Sequence, residues 1–202
     1  MEYIGDVFYE YGGGLYANIT NKCPDRCEFC IRYMVDSLGG ADSLWLKREP
    51  TMEEILELLD QWDLNKFEEL VFCGYGEPTE RLSELIETAE YARSKAPGLK
   101  IRLNTNGLSD LINGRDTLPE LSSVLDRISI SLNAKGPEEY LALCHPRFGI
   151  GAFEAMLDFT RRAKECIPDV TMSVVSGSIP YQDIEPCRRI AEEEIGVKFR
   201  VR

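Results

Sequence analysis

The sequence lacks both a long apolar run and an export leader. No stretch approaches the roughly 18 consecutive apolar residues of a membrane-spanning helix. Residues 1–10 contain Glu2, Asp6 and Glu10 but no basic residue, whereas a secretory leader begins with positive charge and continues with an apolar segment. We therefore predict no helical membrane span and expect a cytoplasmic protein.

Positive charge is scarce as well. Lys and Arg number 23 against 35 Asp and Glu, which gives a formal net charge of −12. Such a surface repels phosphate backbones, so direct nucleic-acid binding is disfavoured. Hydrophobic residues make up 44% of the 202 residues, and no repeat or low-complexity stretch interrupts them. This composition excludes a disordered or fibrous chain and predicts a single domain over residues 1–202.

The cysteine pattern does not indicate a disulfide framework. The chain has seven cysteines, an odd number, and three of them lie within eight residues, at Cys23, Cys27 and Cys30. Three thiolates on one loop can hold a soft metal or an iron–sulfur cluster with one iron left open. A structural zinc site completed by His145 or by a distant cysteine is the alternative.

Six short β-like runs alternate with helical patterns along the chain. They cover residues 15–20, 69–73, 100–103, 127–132, 170–175 and 198–201. Alternation of strands and helices predicts βα units around a parallel sheet. Six units are two short of a closed eight-stranded barrel, so the sequence predicts an α/β fold of the partial (βα)6 barrel type. Residues 7–11 and the glycines at 12–14 add an N-terminal β-hairpin. An open doubly wound sheet is the alternative.

Several helix ends are legible. Thr51 with Glu54, and Thr117 with Glu120, have the spacing of capping boxes. The pattern also predicts a helix over 83–96 that stops at Pro97, and a helix over 184–195 that is capped by Asp183.

Polar and glycine-rich segments follow the predicted strands. They cover residues 74–79, 104–107, 131–133 and 176–178. Carboxyl ends of parallel strands meet at one rim, so these segments and the three cysteines converge on one site. A glycine turn lets a ligand approach the backbone, and Glu77 within it suits an ammonium group. Neutral groups suited to sugar hydroxyls are Asn104, Asn106, Ser131 and Asn133.

Other candidate residues lie outside these segments. Cys144, His145 and Arg147 form a loop that is the first candidate for substrate contact or catalysis, and an ordinary hydrogen-bonded loop histidine is the alternative. Arg200 and Arg202 share one side of the last strand. If that side faces inward they could hold an anionic substrate, and the alternative is a solvated edge strand. The isolated cysteines expected in the core are Cys73, Cys166 and Cys187.

The cysteine spacing, Cys23-x3-Cys27-x2-Cys30 with Phe29 before the last cysteine, resembles the signature of the radical S-adenosylmethionine (SAM) superfamily. The later motifs follow in that family's order. More narrowly, the stretches ADSLWLKREPT, VFCGYGEPT, RLNTNGL, INGRD and SISLNA resemble the small TatD family-associated radical SAM proteins.

The resemblance implies a site. Cys23, Cys27 and Cys30 would bind a [4Fe-4S] cluster whose open iron is chelated by the amino and carboxylate groups of SAM. Gly76 and Glu77 would receive the methionine ammonium. The remaining implied SAM contacts are Phe29 along the adenine, Ser131 and Asn133 at the ribose, and Val175 and Gly177 near the adenine.

The resemblance also implies an activity. The enzyme would cleave SAM reductively to methionine and a 5′-deoxyadenosyl radical, and the radical would take hydrogen from an unidentified substrate, small molecule or protein. The implied partners are a one-electron donor of the flavodoxin or ferredoxin type and, by association, a TatD-family hydrolase. The alternatives are an activase that acts on a partner protein and a non-enzymatic metal-binding or electron-transfer protein.

Overall fold

In a computed structural model that describes residues 2–202, the chain forms one seven-stranded sheet. The strands are β1 (Phe8–Tyr11), β2 (Gly14–Ala17), β3 (Glu69–Phe72), β4 (Lys100–Thr105), β5 (Arg127–Ser131), β6 (Asp169–Val174) and β7 (Lys198–Val201). They lie in sequential order, β1 pairs antiparallel with β2, and every later pair is parallel. The sheet is open, with β1 and β7 as its edges. The predicted partial barrel with an N-terminal hairpin is confirmed.

The hairpin turn shows why the glycines are needed. Tyr11 pairs with Gly14, so the loop has two residues, Gly12 and Gly13. Both have positive φ, 56° and 86°, as a two-residue turn that matches the strand twist requires. A side chain at either position would strain the turn.

In the described part of the chain seven α-helices accompany the strands: α1 (Met52–Leu59), α2 (Leu82–Lys95), α3 (Ser109–Asn113), α4 (Leu118–Val124), α5 (Pro137–Cys144), α6 (Ala152–Ala163) and α7 (Tyr181–Arg189). Right-handed crossovers between sequential parallel strands place the connecting helices on one face. No helix within residues 2–202 combines the length and apolar character needed to cross a membrane.

The predicted helix caps have mixed outcomes. At α1 both bonds of the capping box are present, between Thr51 and Glu54. The helix predicted after Thr117 exists as α4, but the capping box is wrong. The Thr117 hydroxyl donates instead to Asp110 at 2.8 Å, and Asp116 accepts from the backbone N–H of Leu118 at 3.2 Å. Thr117 is fully buried in the turn, where its hydroxyl lies 2.8 Å from both Asp110 and the Ser109 hydroxyl.

The last helix also differs from the prediction. Helix α7 begins at Tyr181, so Asp183 lies in its first turn rather than at its cap, and the Asp183 carboxylate accepts from Lys135 at 2.8 Å. The helix continues as a π-helical segment, Ile190–Ile195, which ends at Gly196 with φ of 82°.

Alternating residues separate the two faces of the sheet. Ile128 and Ile130 of β5 belong to the buried core shared with the helices, whereas Arg127, Ser129 and Ser131 point to the other face. We call this other face the inner face. Polar residues also occupy it on β4, β6 and β7, which fits a barrel interior rather than a second core.

The isolated cysteines do not all behave as expected. Cys187 is buried in the core, as predicted, and Cys73 is partly buried. Cys166 is exposed, so its prediction as a core residue is wrong. It lies just past the end of α6, where its Sγ donates to the backbone carbonyl of Arg162 at 3.6 Å.

Candidate functional site

The three clustered cysteines lie on a loop, residues 21–30, that follows β2; we call it the cysteine loop. Its backbone is attached to the carboxyl-terminal end of α5. The N–H of Arg26 donates to the carbonyl of Cys144 at 2.9 Å, and the N–H of Glu28 donates to Leu143 at 3.0 Å. The N–H of Arg147 returns a bond to Pro24 at 2.9 Å. These bonds fix the loop and also occupy free carbonyls at the helix end.

The glycine turn after β3 holds the other side of the cysteine loop. The N–H of Glu77 donates to the carbonyl of Lys22 at 2.8 Å. A Cβ on Gly76 would lie 2.3 Å from the carbonyl oxygen of Thr20 and 2.6 Å from that of Lys22. Gly76 is therefore required for the close approach of two backbone segments of this chain, a role that the sequence did not reveal.

Glu77 lies inside the site and is 4% exposed. Its Oε1 accepts from the hydroxyls of Thr79 and Thr105, both at 2.8 Å, and from the N–H of Thr79 at 3.2 Å. Its Oε2 accepts from the N–H of Asn106 at 2.8 Å. The carboxylate thus joins the loops that follow β3 and β4, while burial raises its pKa against the opposing effect of these donors.

A second buried carboxyl group, Asp25, extends this network into the cysteine loop. Asn106 donates its side-chain amide to Asp25 Oδ2 at 3.1 Å, and Asp25 Oδ1 is buried without a partner within the described residues. Burial, with the nearby Glu77 carboxylate as the next cause, raises the pKa of Asp25 to about 7. Sequence reasoning missed Asp25, because an Asp after Pro24 is also an ordinary turn residue.

Glu77→Gln should lower the thermal stability of the metal-free protein. An amide nitrogen cannot accept, so one of the buried donors loses its partner whichever way the amide is oriented, at a cost of about 1–3 kcal/mol. For a chain of this size we expect the melting temperature to fall by roughly 2–10 °C, measured by circular dichroism. Glu87→Gln on exposed α2 surface removes the same charge and should change stability by less than about 0.5 kcal/mol. Equal melting temperatures for both variants would contradict the structural role of Glu77.

The three cysteine thiols are partly buried and free. Burial raises the pKa of Cys23 and of Cys30, so both are protonated at neutral pH unless a metal replaces the proton. Cys27 lies beside the buried Cys144, and the contact between their thiols is the main cause of its raised pKa, followed by burial. Among residues 2–202, no three His, Cys, Asp or Glu side chains are gathered as closely as a single metal ion requires.

The candidate ribose contacts lie at the ends of β4 and β5. Asn133 is buried in the left-handed region with φ of 58°, an uncommon conformation for a residue other than glycine. Its Nδ2 donates to Cys144 Sγ at 3.8 Å, and its Oδ1 is buried without a partner. Asn104 Oδ1 is also buried and unpartnered, whereas the Ser131 hydroxyl accepts from Arg202 at 2.7 Å. The two asparagine oxygens, like Asp25 Oδ1, are buried acceptors without a partner in the described residues.

A cavity of about 330 Å³ is lined by residues that neighbour two of the candidate adenine contacts, Phe29 and Gly177, in the sequence. Its lining comes from the cysteine loop, the segment after β5, helix α5 and the loop after β6, and includes Glu28, Ala134, Leu143, Ser178 and Ile179. Gly177 has φ of 76° and adjoins this lining, as does Phe29 beside Glu28. Val175 is partly buried at the end of β6. None of these three residues is among those that line the cavity.

The candidate catalytic loop lies against the back of the cysteine loop. His145 ends α5 in the left-handed region, with φ of 46°, and its Nε2 is 3.3 Å from Glu28 Oε1. The guanidinium of Arg147 pairs with Glu80 at 3.3 Å. Cys144 is fully buried. The structure thus brings all three residues to the cysteine loop, in positions that support its backbone.

A model of the family described as “Radical SAM superfamily” matches residues 17–192 of the chain. No curated protein sequence matches the chain significantly.

Several solved structures are similar in fold. SuiB from Streptococcus suis, bound to its precursor peptide SuiA, has a TM-score of 0.64 and 15% identity over 91% of this chain and 37% of that chain. A radical SAM methyltransferase from Sphaerobacter thermophilus has a TM-score of 0.63 and 16% identity over 96% and 57% of the two chains. Methylornithine synthase has a TM-score of 0.61 and 17% identity over 93% and 52%. The chain therefore spans 37% to 57% of the lengths of these proteins.

Proposed function

The chain belongs to the radical SAM superfamily, and we propose that it is an enzyme that holds a [4Fe-4S] cluster on Cys23, Cys27 and Cys30 and binds SAM beside it. Proteins of this superfamily use such a cluster together with SAM. The observation that carries the proposal is the position of three partly buried thiols on one fixed loop at the carboxyl edge of the sheet.

The residues present fit these groups. Thiolates are the ligands that iron–sulfur clusters use, and each of the three binds a different iron, so they need not converge as ligands of a single ion do. Unpartnered buried oxygens on Asp25, Asn104 and Asn133 are acceptors for hydroxyl or ammonium groups of a ligand. When bound, the cluster and SAM supply one-electron cleavage of SAM to methionine and a 5′-deoxyadenosyl radical that abstracts hydrogen.

The chain's own residues position and shield these groups. The cysteine loop is held on one side by α5 and on the other by Lys22 and Glu77, so its shape is set before any ligand enters. Glu77 Oε2 has one donor and therefore one remaining acceptor position for an ammonium group. We expect Glu77→Gln to weaken SAM binding by about tenfold or more, measured by anaerobic calorimetry.

The experiment that tests the proposed function is anaerobic turnover. The reconstituted protein is incubated with SAM, dithionite and fractions of an extract from cells grown in D2O. We expect 5′-deoxyadenosine and methionine to form, with deuterium in the 5′-deoxyadenosine when the substrate is present. Cys27→Ala protein is the control and should form neither product. A colourless protein that holds stoichiometric zinc and leaves SAM intact would instead support the non-enzymatic alternative.

A second candidate is an activase that acts on a partner protein. Ile31, Tyr33, Met34 and Val35 are exposed directly after Cys30, with Met34 66% exposed, and exposed apolar clusters favour protein contact. Ultrafiltration of the D2O extract separates the two candidates. If the chain is an activase, the fraction that supplies deuterium is retained with the proteins, and if the substrate is a small molecule, that fraction passes through the filter.

Reduction by a flavodoxin or ferredoxin should depend on Arg26. Of three basic residues on this surface, Lys22 pairs with Glu49 at 3.0 Å, and Arg32 bonds the Tyr33 hydroxyl at 2.7 Å. Arg26 is exposed next to Cys27. We expect Arg26→Glu to slow reduction by flavodoxin several-fold and reduction by dithionite much less, since attraction of an acidic donor raises the association rate.

Stopped-flow absorbance at two salt concentrations measures this difference, which should shrink as salt rises. Arg161→Glu on α6 makes the same change in net charge at another exposed position and should leave both rates nearly equal to those of the wild type. If both reductants slow equally with Arg26→Glu, the donor docks elsewhere.

We also propose a subgroup, a functional associate and a cellular location for this enzyme. The resemblance to TatD family-associated proteins is supported by the sequence stretches quoted above, and it suggests a TatD-type hydrolase as a functional associate. A cytoplasmic location fits the oxygen sensitivity and reductant demand of this chemistry. Affinity purification of the tagged chain from its own cells tests whether a TatD-type hydrolase co-purifies with it. If no such hydrolase is recovered, the association is contradicted.

A further inference from the structure

The inner face of the sheet carries a network of charged side chains near the amino-terminal ends of its parallel strands. Glu69 pairs with Arg102 at 3.0 Å and with Arg127 at 3.5 Å. Asp169 pairs with Arg127 at 3.7 Å and with Lys198 at 2.9 Å. The contacts run from β3 to β7, so cations and carboxylates alternate and nearly neutralise one another there.

Two further arginines, Arg200 and Arg202, lie closer to the carboxyl end of β7 than this network does, on the same inner face. Lys198, Arg200 and Arg202 occupy alternate positions, and the contact of Lys198 with Asp169 shows that this side of β7 faces inward. Arg202 confirms the direction, since its guanidinium donates to the hydroxyls of Ser131 at 2.7 Å and Ser173 at 3.1 Å.

Neither of these arginines is neutralised. No carboxylate of residues 2–202 lies within 4.0 Å of the guanidinium of Arg200 or Arg202. Surrounding protein atoms lower the pKa of Arg202 by desolvation, and the adjacent positive charge of Arg200 lowers it further. Both residues nevertheless remain exposed to solvent at the edge strand of the sheet, so their uncompensated positive charges are accessible to an anion.

The position of the pair suggests what the anion is. Arg202 is held toward this site by its two hydroxyl partners. Its partners Ser131 and Ser173 end β5 and β6 at the rim where the candidate site lies. A fork of guanidinium donors with flanking hydroxyls matches the oxygens of a carboxylate or phosphate.

We propose that Arg200 and Arg202 bind a carboxylate or phosphate group of the substrate and so restrict the enzyme to oxyanion-bearing substrates. This inference rests on the proposed function and adds the substrate class. The edge-strand alternative, in which the arginines serve solubility, does not require the bonds from Arg202 to two inward hydroxyls.

Small oxyanions probe the pair directly. Binding of inorganic phosphate and of malonate to the anaerobically reconstituted protein is measured by calorimetry at constant ionic strength, with and without SAM. Arg200→Gln and Arg202→Gln are compared with Arg161→Gln, which removes the same charge from exposed α6 surface. Arg200 has no ion-pair partner in the described chain, so its replacement leaves the folded contacts intact.

We expect saturable anion binding that each β7 variant weakens about tenfold or more, with Arg161→Gln unchanged and SAM affinity retained in all variants. A preference for phosphate over malonate would assign a phosphate substrate, and the reverse a carboxylate.

The inference is overturned if no saturable binding occurs or if Arg161→Gln has the same effect. It is also overturned if the β7 variants lose SAM affinity instead, because the pair would then bind the SAM carboxylate. Failure of the wild type to bind SAM, with anion binding intact, would count against the proposed function alone.

Discussion

Replacement of any one of Cys23, Cys27 or Cys30 by Ala is expected to abolish iron loading and, with it, SAM cleavage. In the proposed site each thiol supplies one cluster ligand, and the cysteine loop offers no other soft donor that could take its place. Two remaining thiolates leave two irons without a protein ligand. Iron and sulfide content and visible absorbance after anaerobic reconstitution measure the loss, which we expect to be nearly complete.

Two other cysteines provide matched controls. Cys166→Ala removes an exposed thiol far from the loop and should load iron fully. Cys144→Ala removes the buried thiol beside Cys27 and should still load iron, because all three ligands remain. If Cys144→Ala lost iron as completely as Cys27→Ala, Cys144 would be a fourth ligand and no iron would be open to SAM. If Cys166→Ala lost as much iron as the loop variants, the assignment of Cys23, Cys27 and Cys30 as cluster ligands would be contradicted.

Gly76→Ala is expected to destabilise the protein and to impair cluster loading at the same time. The added methyl group would overlap the carbonyl oxygens of Thr20 and Lys22, both of them backbone atoms that cannot rotate away. Overpacking of this kind costs about 1–3 kcal/mol, which corresponds to a melting temperature lower by roughly 2–10 °C. Relief of the overlap moves the start of the cysteine loop, so iron content should fall as well.

Gly98→Ala provides the comparison, since no atom lies within 4 Å of a Cβ at that position. It should change stability by less than about 0.5 kcal/mol and leave iron loading unchanged. If the Gly76→Ala protein had the same melting temperature as the Gly98→Ala protein and loaded a full cluster, the backbone at Gly76 would not approach the carbonyls of Thr20 and Lys22 as closely as described.

The parts of the fold that could be predicted from the sequence are those that depend on residues close to one another in the chain. The strand runs alternate with helices over short distances, the hairpin is marked by adjacent glycines, and Thr51 with Glu54 caps α1 through bonds within four residues. The three cysteines are close in sequence as well, so their loop could be recognised without knowledge of what packs against it.

The parts that could not be predicted depend on contacts between distant segments. Nothing near Cys144 in the sequence indicates that its carbonyl accepts from Arg26. Gly76 looked like an opening for a ligand because no local rule shows which backbone will cross it. Thr117 was expected to cap α4, but burial placed it against Asp110, and tertiary contact overrode the capping pattern.

The support of the cysteine loop by α5 has a consequence for the order in which the protein is made. During translation the cysteines leave the ribosome long before their supports, since Glu28 and its partner His145 are 117 residues apart in the chain. The loop acquires its native shape only after synthesis has passed Arg147, and until then its thiols are solvent-accessible and unrestrained. In the proposed enzyme, iron and sulfide would therefore reach a shaped site only after elongation of the chain has passed these supports.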